Sequence, residues 1–182
     1  LSTDTLSFST ANWNTPQTVT VTGVDDNLVD GDITTTLTAT ASNTGGYTGT
    51  ESTTTTVKNT DDDTYGLTIS ETGNNDGSGN LLTTEAGSSS TFTVVLNAQP
   101  TDTVTVSITG LDTTENSLST DTLTFTTANW NTPQTVTVTG VDDTLVDGDI
   151  TTTLTATASN TGGYAGTEST TTTVKNTDDD TY

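Results

Sequence analysis

Residues 1–65 return at 118–182 with a constant offset of 117 and four differences, Ser7/Thr124, Ser9/Thr126, Asn27/Thr144 and Thr48/Ala165. The segment between them, Gly66 to Ser117, occurs once. A period of that size is a whole domain rather than one turn of a solenoid, and near-identity points to recent duplication, so the chain is expected to be a piece of a longer array with any targeting segment outside it. Gly66–Ser117 can complete a domain with the half that follows or the half that precedes. The frame 66–182 is preferred because Asp-Asp-Asp-Thr-Tyr then closes each unit and Gly66 opens the next. Residues 1–65 are then the C-terminal half of an upstream repeat, and alone they would expose a core face and an unpaired strand edge.

Within 66–182, apolar residues alternate with Thr and Ser at a period of two, the pattern of strands with one buried face. Leu67 and Ile69 mark the first strand; Phe92, Val94 and Leu96 the second; Val104, Val106 and Ile108 the third; Leu123 and Phe125 the fourth. Val136 and Val138, then Ile150 to Ala158, then a run to Val174 supply three more. Thr is roughly 30% of the chain and favours strands over helices. With only 27% hydrophobic residues, a helix bundle would lack apolar surface, whereas a thin sandwich needs less. The expectation is all-β: seven-stranded antiparallel Ig-like β-sandwich repeats, one complete and one partial. Trp130, repeated as Trp13, is expected to plug one end of the core, with sugar stacking as the alternative.

Charge narrows the function classes. There are 24 Asp and Glu against two Lys, Lys58 and Lys175, for a formal net charge of -22. Self-repulsion of this size disfavours a compact state unless cations screen or bind it. With no basic patch to neutralise phosphate, nucleic acid and anionic membranes are poor partners, and no apolar run is long enough for direct membrane insertion. Cys and His are absent, which excludes thiolate chemistry, disulfides, the usual zinc ligand and the commonest general base. Paired carboxylates would leave only glycoside hydrolysis, and no aromatic groove accompanies them, so an enzyme is not expected.

The acids are clustered. One motif is Asp142-Asp143 with Asp147 and Asp149, matched upstream by Asp25, Asp26, Asp30 and Asp32; a second is Asp178-Asp179-Asp180, matched by Asp61, Asp62 and Asp63. Each follows a predicted strand end, so the carboxylates gather in loops. Crowded like charges are relieved by a hard cation with six to eight oxygen ligands, which points to Ca2+. Acids that only keep strand edges soluble are the alternative. A third motif runs from Asn74 through Asp76 and Ser78 to Glu85, with the oxygen spacing of an EF-hand loop. A flexible Gly/Asn connector accounts for it equally well, and Glu85 then serves a different calcium site.

The run LTFTTANWNTPQTVTVTGVDDTLVDGD with the closing NTDDD resembles the Calx-beta repeat family, of the type found in tandem in large bacterial surface adhesins. The resemblance covers 66–182 and the second half of the pattern in 1–65. It implies calcium held at one pole of the sandwich by Glu85, by Asp142, Asp143 and Asp147, and by Asp178, Asp179 and Asp180, with Glu115 where the family often has a further acid. It also implies a calcium-binding structural or adhesive module, extracellular and cell-surface or secreted, in which calcium stiffens the domain and the junction between repeats. Neighbouring repeats of the same or like chains are the expected partners, with a surface or glycan ligand held by other parts of the parent protein. The alternative is a filament subunit completed by strand exchange with a neighbouring chain. Thr arrays such as TVTVTG could order water or ice, but strand formation explains them without that role.

Overall fold

The computed structural model describes residues 1–181, in two compact units: Leu1–Asp26 with Asp30–Asp62, and Asn27–Val29 with the chain from Asp63 onward. Each unit is described by itself. Gly66–Ser117 packs with the half that follows it.

In the second unit the strands are β3 (Leu67–Glu71), β4 (Asn80–Thr84), β5 (Ser89–Leu96), β6 (Val104–Thr109), β7 (Asn116–Leu118), β8 (Thr122–Phe125), β9 (Gln134–Gly140), β10 (Ile150–Ala158) and β11 (Ser169–Thr177). They form two sheets, β4-β11-β10-β6-β8 and β3-β5-β9-β7. Every pairing is antiparallel except β4 with β11. This is the expected all-β sandwich, with nine strands in the place of seven among the described residues. The additions are β4 and β7. Leu81 and Thr83 face inward from β4 while Leu82 faces out, and β7 buries Asn116, so neither shows the alternation of apolar and polar residues that marks the others.

Alternation holds where it was expected. Phe92, Val94 and Leu96 on β5 and Val136 and Val138 on β9 face Val104, Val106, Leu123, Phe125, Leu154, Ala156 and Val174 on the opposing sheet. Each intervening Thr points outward, where its branched side chain suits the pleat. At one end of the sandwich Tyr164 is 1% exposed; its hydroxyl donates to Ala98 O at 3.0 Å, and its ring lies 4.6 Å from that of Tyr65. A Cβ on Gly163 would lie 2.1 Å from the Tyr65 hydroxyl, so only glycine admits this stacking. Trp130 packs half-buried against the core, whereas its repeat Trp13 is 71% exposed and plugs no core.

The first unit contains β1 (Ile33–Thr40) and β2 (Ser52–Asn59), paired antiparallel in the register of β10 and β11. Its local structure repeats that of the second unit: Gln17 Nε2 donates to Ser7 O at 2.7 Å, as Gln134 Nε2 donates to Thr124 O at 2.8 Å. Burial does not repeat. Phe8 is 56% exposed where Phe125 is fully buried, and Tyr47 is 57% exposed against 1% for Tyr164. Leu6, Val19 and Val21 are likewise exposed, while Leu123, Val136 and Val138 are buried. Near-identical residues thus form the same turns in both places, and only those that meet the strands of Gly66–Ser117 form a core.

Candidate metal centre

The topology brings the acids of the second unit to one end. β4 and β11 run parallel, so Glu85 after β4 and Asp178–Asp180 after β11 leave the sheet on the same side. In the other sheet Asn116 opens β7 opposite Gly140, which closes β9, so Glu115 and the loop 141–149 emerge at that same pole. Gly140 lets the two sheets converge there. A Cβ at this position would sit 2.0 Å from Thr84 O and 2.7 Å from Asn176 Oδ1.

Two groups of three carboxylates result, each with its oxygens within 4.8 Å of one another: Glu85 with Asp178 and Asp180, and Glu115 with Asp143 and Asp147. Glu85 is 2% exposed and Glu115 is buried. Beneath them lies a polar floor. Thr83 Oγ1 bonds Asn116 Oδ1 at 2.8 Å and Asn176 Oδ1 at 3.1 Å, and Asn176 Nδ2 donates to Glu115 Oε2 at 3.3 Å. Thr83, Asn116 and Asn176 carry no charge and sit in strands, so the clustering of acids could not reveal them. The signal that could is a set of polar residues at inward positions of otherwise alternating strands.

The electrostatics are those of a site short of positive charge. Burial, reinforced by Asp178, Asp143 and Asp147, raises the Glu85 carboxyl above its ordinary value, against a lowering hydrogen bond from the Asp179 N–H. Burial, then the charges of Asp178, Asp179, Asp142 and Asp143, raises Asp180. Asp180 Oδ2 and Asn116 Nδ2 are buried with no hydrogen-bond partner among the described residues. Lys175 does not relieve the cluster: its Nζ bonds Asp149 Oδ2 at 2.7 Å and lowers that carboxyl. An all-oxygen donor set with an orphaned, buried carboxylate oxygen fits a hard cation, and the six grouped acids with the charges of Asp142 and Asp179 fit Ca2+ better than a metal that wants nitrogen or sulfur.

The sequence-expected residues divide three ways. Glu85, Glu115, Asp143, Asp147, Asp178 and Asp180 are brought together, and Asp142 and Asp179 stand beside them. Asp76 stands apart. Its oxygens accept from Ser78 N, Asn80 N and Asn80 Nδ2, which holds its carboxyl below the ordinary value. The EF-hand spacing from Asn74 to Glu85 does not form one loop, because Asn80–Thr84 is the strand β4, whose length separates Asp76 from Glu85. In the first unit Asp61 Oδ2 accepts from Gly31 N at 2.6 Å, as Asp178 Oδ2 does from Gly148 N at 2.7 Å, and Lys58 pairs with Asp32. Asp25, Asp26, Asp30 and Asp62 are exposed there. Repeat counterparts of Glu85 and Glu115 are lacking in this half, since both belong to Gly66–Ser117, and Asp63 falls to the second unit.

Neither a family model nor a curated protein matches the sequence. Among solved structures, similar ones include SSP-19, an MSP-domain protein like family member in Caenorhabditis elegans, at 13% identity and TM-score 0.37 over 54% of this chain and 92% of that one. The apo-form Calx CBD1 domain aligns at 15% identity and TM-score 0.40 over 63% and 98%. The E. coli chaperone DraB aligns at 10% identity and TM-score 0.40 over 62% and 54%. Likeness at these scores carries no argument about the site.

Proposed function

We propose that this chain is a calcium-binding structural repeat of the Calx-beta type from an extracellular protein, with Ca2+ at the acid pole stiffening the sandwich and its junction with the next repeat. The observation that carries the reading is the buried Glu85 facing Asp178 and Asp180 with an orphaned Asp180 oxygen. Three carboxylates crowded at a buried rim repel one another, and a divalent cation turns that repulsion into cross-links between loops far apart in sequence. The closing Asp178–Asp180 run would then be tied to Glu85, so the ion fixes the direction in which the chain leaves the unit. Extracellular calcium is concentrated enough to fill sites as weak as about 10⁻⁴–10⁻³ M. The reading includes no catalytic role, because the grouped acids are mutual neighbours around a cation space.

Calorimetric titration of the full chain with Ca2+ tests this beside a variant carrying Asp178→Asn and Asp180→Asn. Saturable heat that the variant loses supports the proposal. A parent chain without heat, or with a melting temperature and hydrodynamic length indifferent to chelation, sinks it.

A further inference from the structure

Apolar residues of the first half are generally more exposed than their repeat counterparts in the second unit, as Phe8 is against Phe125 and Tyr47 against Tyr164. At Leu28 and Val29 the order reverses. Leu28 is 36% exposed where Leu145 is 61% exposed, and Val29 is half-buried where Val146 is exposed. The two loops have the same sequence apart from Asn27 and Thr144, so the difference lies in what each loop meets.

What Asn27–Val29 meets is the turn after β5. These three residues belong to the second unit, although Asp26 and Asp30 on either side belong to the first. The Gln99 N–H donates to Asn27 O at 2.8 Å. Because the acceptor is a main-chain carbonyl, Thr144 offers the same oxygen. The turn, Asn97-Ala98-Gln99-Pro100-Thr101, carries no charge. It is held from behind: Gln99 Nε2 donates to Thr127 O at 3.1 Å, Asn97 N to Gly66 O at 3.0 Å, and Ala98 and Pro100 are buried.

Leu145 and Val146 project between Asp143 and Asp147. An apolar tip rimmed by carboxylates is repelled by other acidic surfaces, whereas a neutral turn with an outward N–H lets the apolar pair be covered while the acids stay in water. The link that follows the first hairpin and leads into Gly66, Asp61 to Tyr65, recurs in sequence as Asp178 to Tyr182. A repeat joined after Tyr182 would thus meet the tip over the same length of chain.

We infer that Leu145 and Val146 form a docking tip whose partner is the Gln99-type turn of a repeat following Tyr182, seated as Asn27–Val29 is seated on Gln99. The assignment is independent of the metal. It rests on the reversed burial of Leu28 and Leu145 and on the bond from Gln99 to Asn27.

Amide exchange measured by NMR tests it in the full chain, and in that chain extended after Tyr182 by a second, separately isotope-labelled copy of residues 66–182. In the full chain Leu28→Ser is expected to speed exchange of the Gln99 N–H about tenfold, the effect of losing a partly buried leucine, and Leu145→Ser to leave it unchanged. In the extended chain Leu145→Ser is expected to speed exchange of the added copy's counterpart of Gln99 by a similar factor, and Leu28→Ser to leave that amide unchanged. Slow exchange within β5 shows that each variant is folded. An added-copy amide indifferent to Leu145→Ser overturns the proposal, as does a Gln99 amide indifferent to Leu28→Ser. Protection of Leu145 and Val146 that develops on concentrating the unextended chain also overturns it, by making a second copy the occupant. Running each arm in chelator and in Ca2+ keeps this outcome separate from that of the metal reading.

Discussion

The Asp179 N–H donates to Glu85 Oε2 at 3.4 Å, although 94 residues separate the two. The bond places the loop after β11 against the end of β4, and it works against the burial and repulsion felt by the Glu85 carboxylate. Replacing Glu85 by Gln keeps the shape and removes the charge. Calcium affinity is expected to fall at least about tenfold, or roughly 1.4 kcal/mol. In chelator the variant is expected to melt no lower than the parent, because a buried charge without a partner has been removed. Titration calorimetry paired with thermal melts checks both signs; a purely structural Glu85 would give equal destabilisation with and without calcium.

The same repulsion sets a pH dependence. Glu85 and Asp180 hold protons more tightly in the folded unit than in the unfolded chain. Without metal their contribution to stability is fully present below the ordinary carboxylate values of about 4 and is lost as pH rises through the raised folded values. Asp149, Asp76, Asp112 and Glu168 are shifted downward, so their contributions are present above about 4 and lost only at lower pH. In chelator, the melting temperature is therefore expected to rise as pH falls from neutral toward about 5, then to drop below about 4. Saturating Ca2+ should reverse the upper limb, since protons compete with the ion. Melts at fixed ionic strength check this, and Glu85→Gln should flatten the rise.

Tyr164 and Tyr47 offer a paired test of the two units. Tyr164→Phe removes a buried hydroxyl that donates to Ala98 O and leaves that carbonyl short of a partner, for an expected loss of roughly 1–2 kcal/mol. Tyr47→Phe, at an exposed position, is expected to change stability by less than about 0.5 kcal/mol. Denaturant unfolding of each variant checks the pair, and equal effects would contradict the burial contrast.

Strand identity was legible wherever Thr alternates with a buried hydrocarbon, as from Phe92 to Leu96, because one hydrophobic face per strand writes a period of two. It was illegible at β4 and β7. There Thr83 and Asn116 take inward positions to build the floor beneath the acids, so the residues that support the site erased the signal of their own strands. The acid loops were legible as clusters. Their partition into one group around Glu85 and one around Glu115 was not, because it depends on the parallel pairing of β4 with β11, a contact between segments about ninety residues apart that no local pattern encodes. Asp76 misled for the converse reason: a spacing rule counts residues, and a strand intervened.

Gly140 and Gly23 separate local from tertiary constraint at one repeat position. A Cβ on Gly140 would meet the Thr84 carbonyl oxygen at 2.0 Å, a backbone atom held by the β4–β11 ladder, so Gly140→Ala must push the sheets apart at the acid pole. The cost is expected to be roughly 1–3 kcal/mol, as for other overpacked sites, and calcium affinity should fall with it because Glu85 follows Thr84 directly. At Gly23 the nearest atom is Asn59 Oδ1 at 2.5 Å, the tip of a side chain that can turn away. Gly23→Ala is expected to leave melting of the chain within about 0.5 kcal/mol of the parent. Calcium titration and thermal melts of the two variants check this. Equal losses would mean that convergence of the sheets at Gly140 does not depend on the Gly66–Ser117 strands, and the account of how the acid pole is assembled would then be wrong.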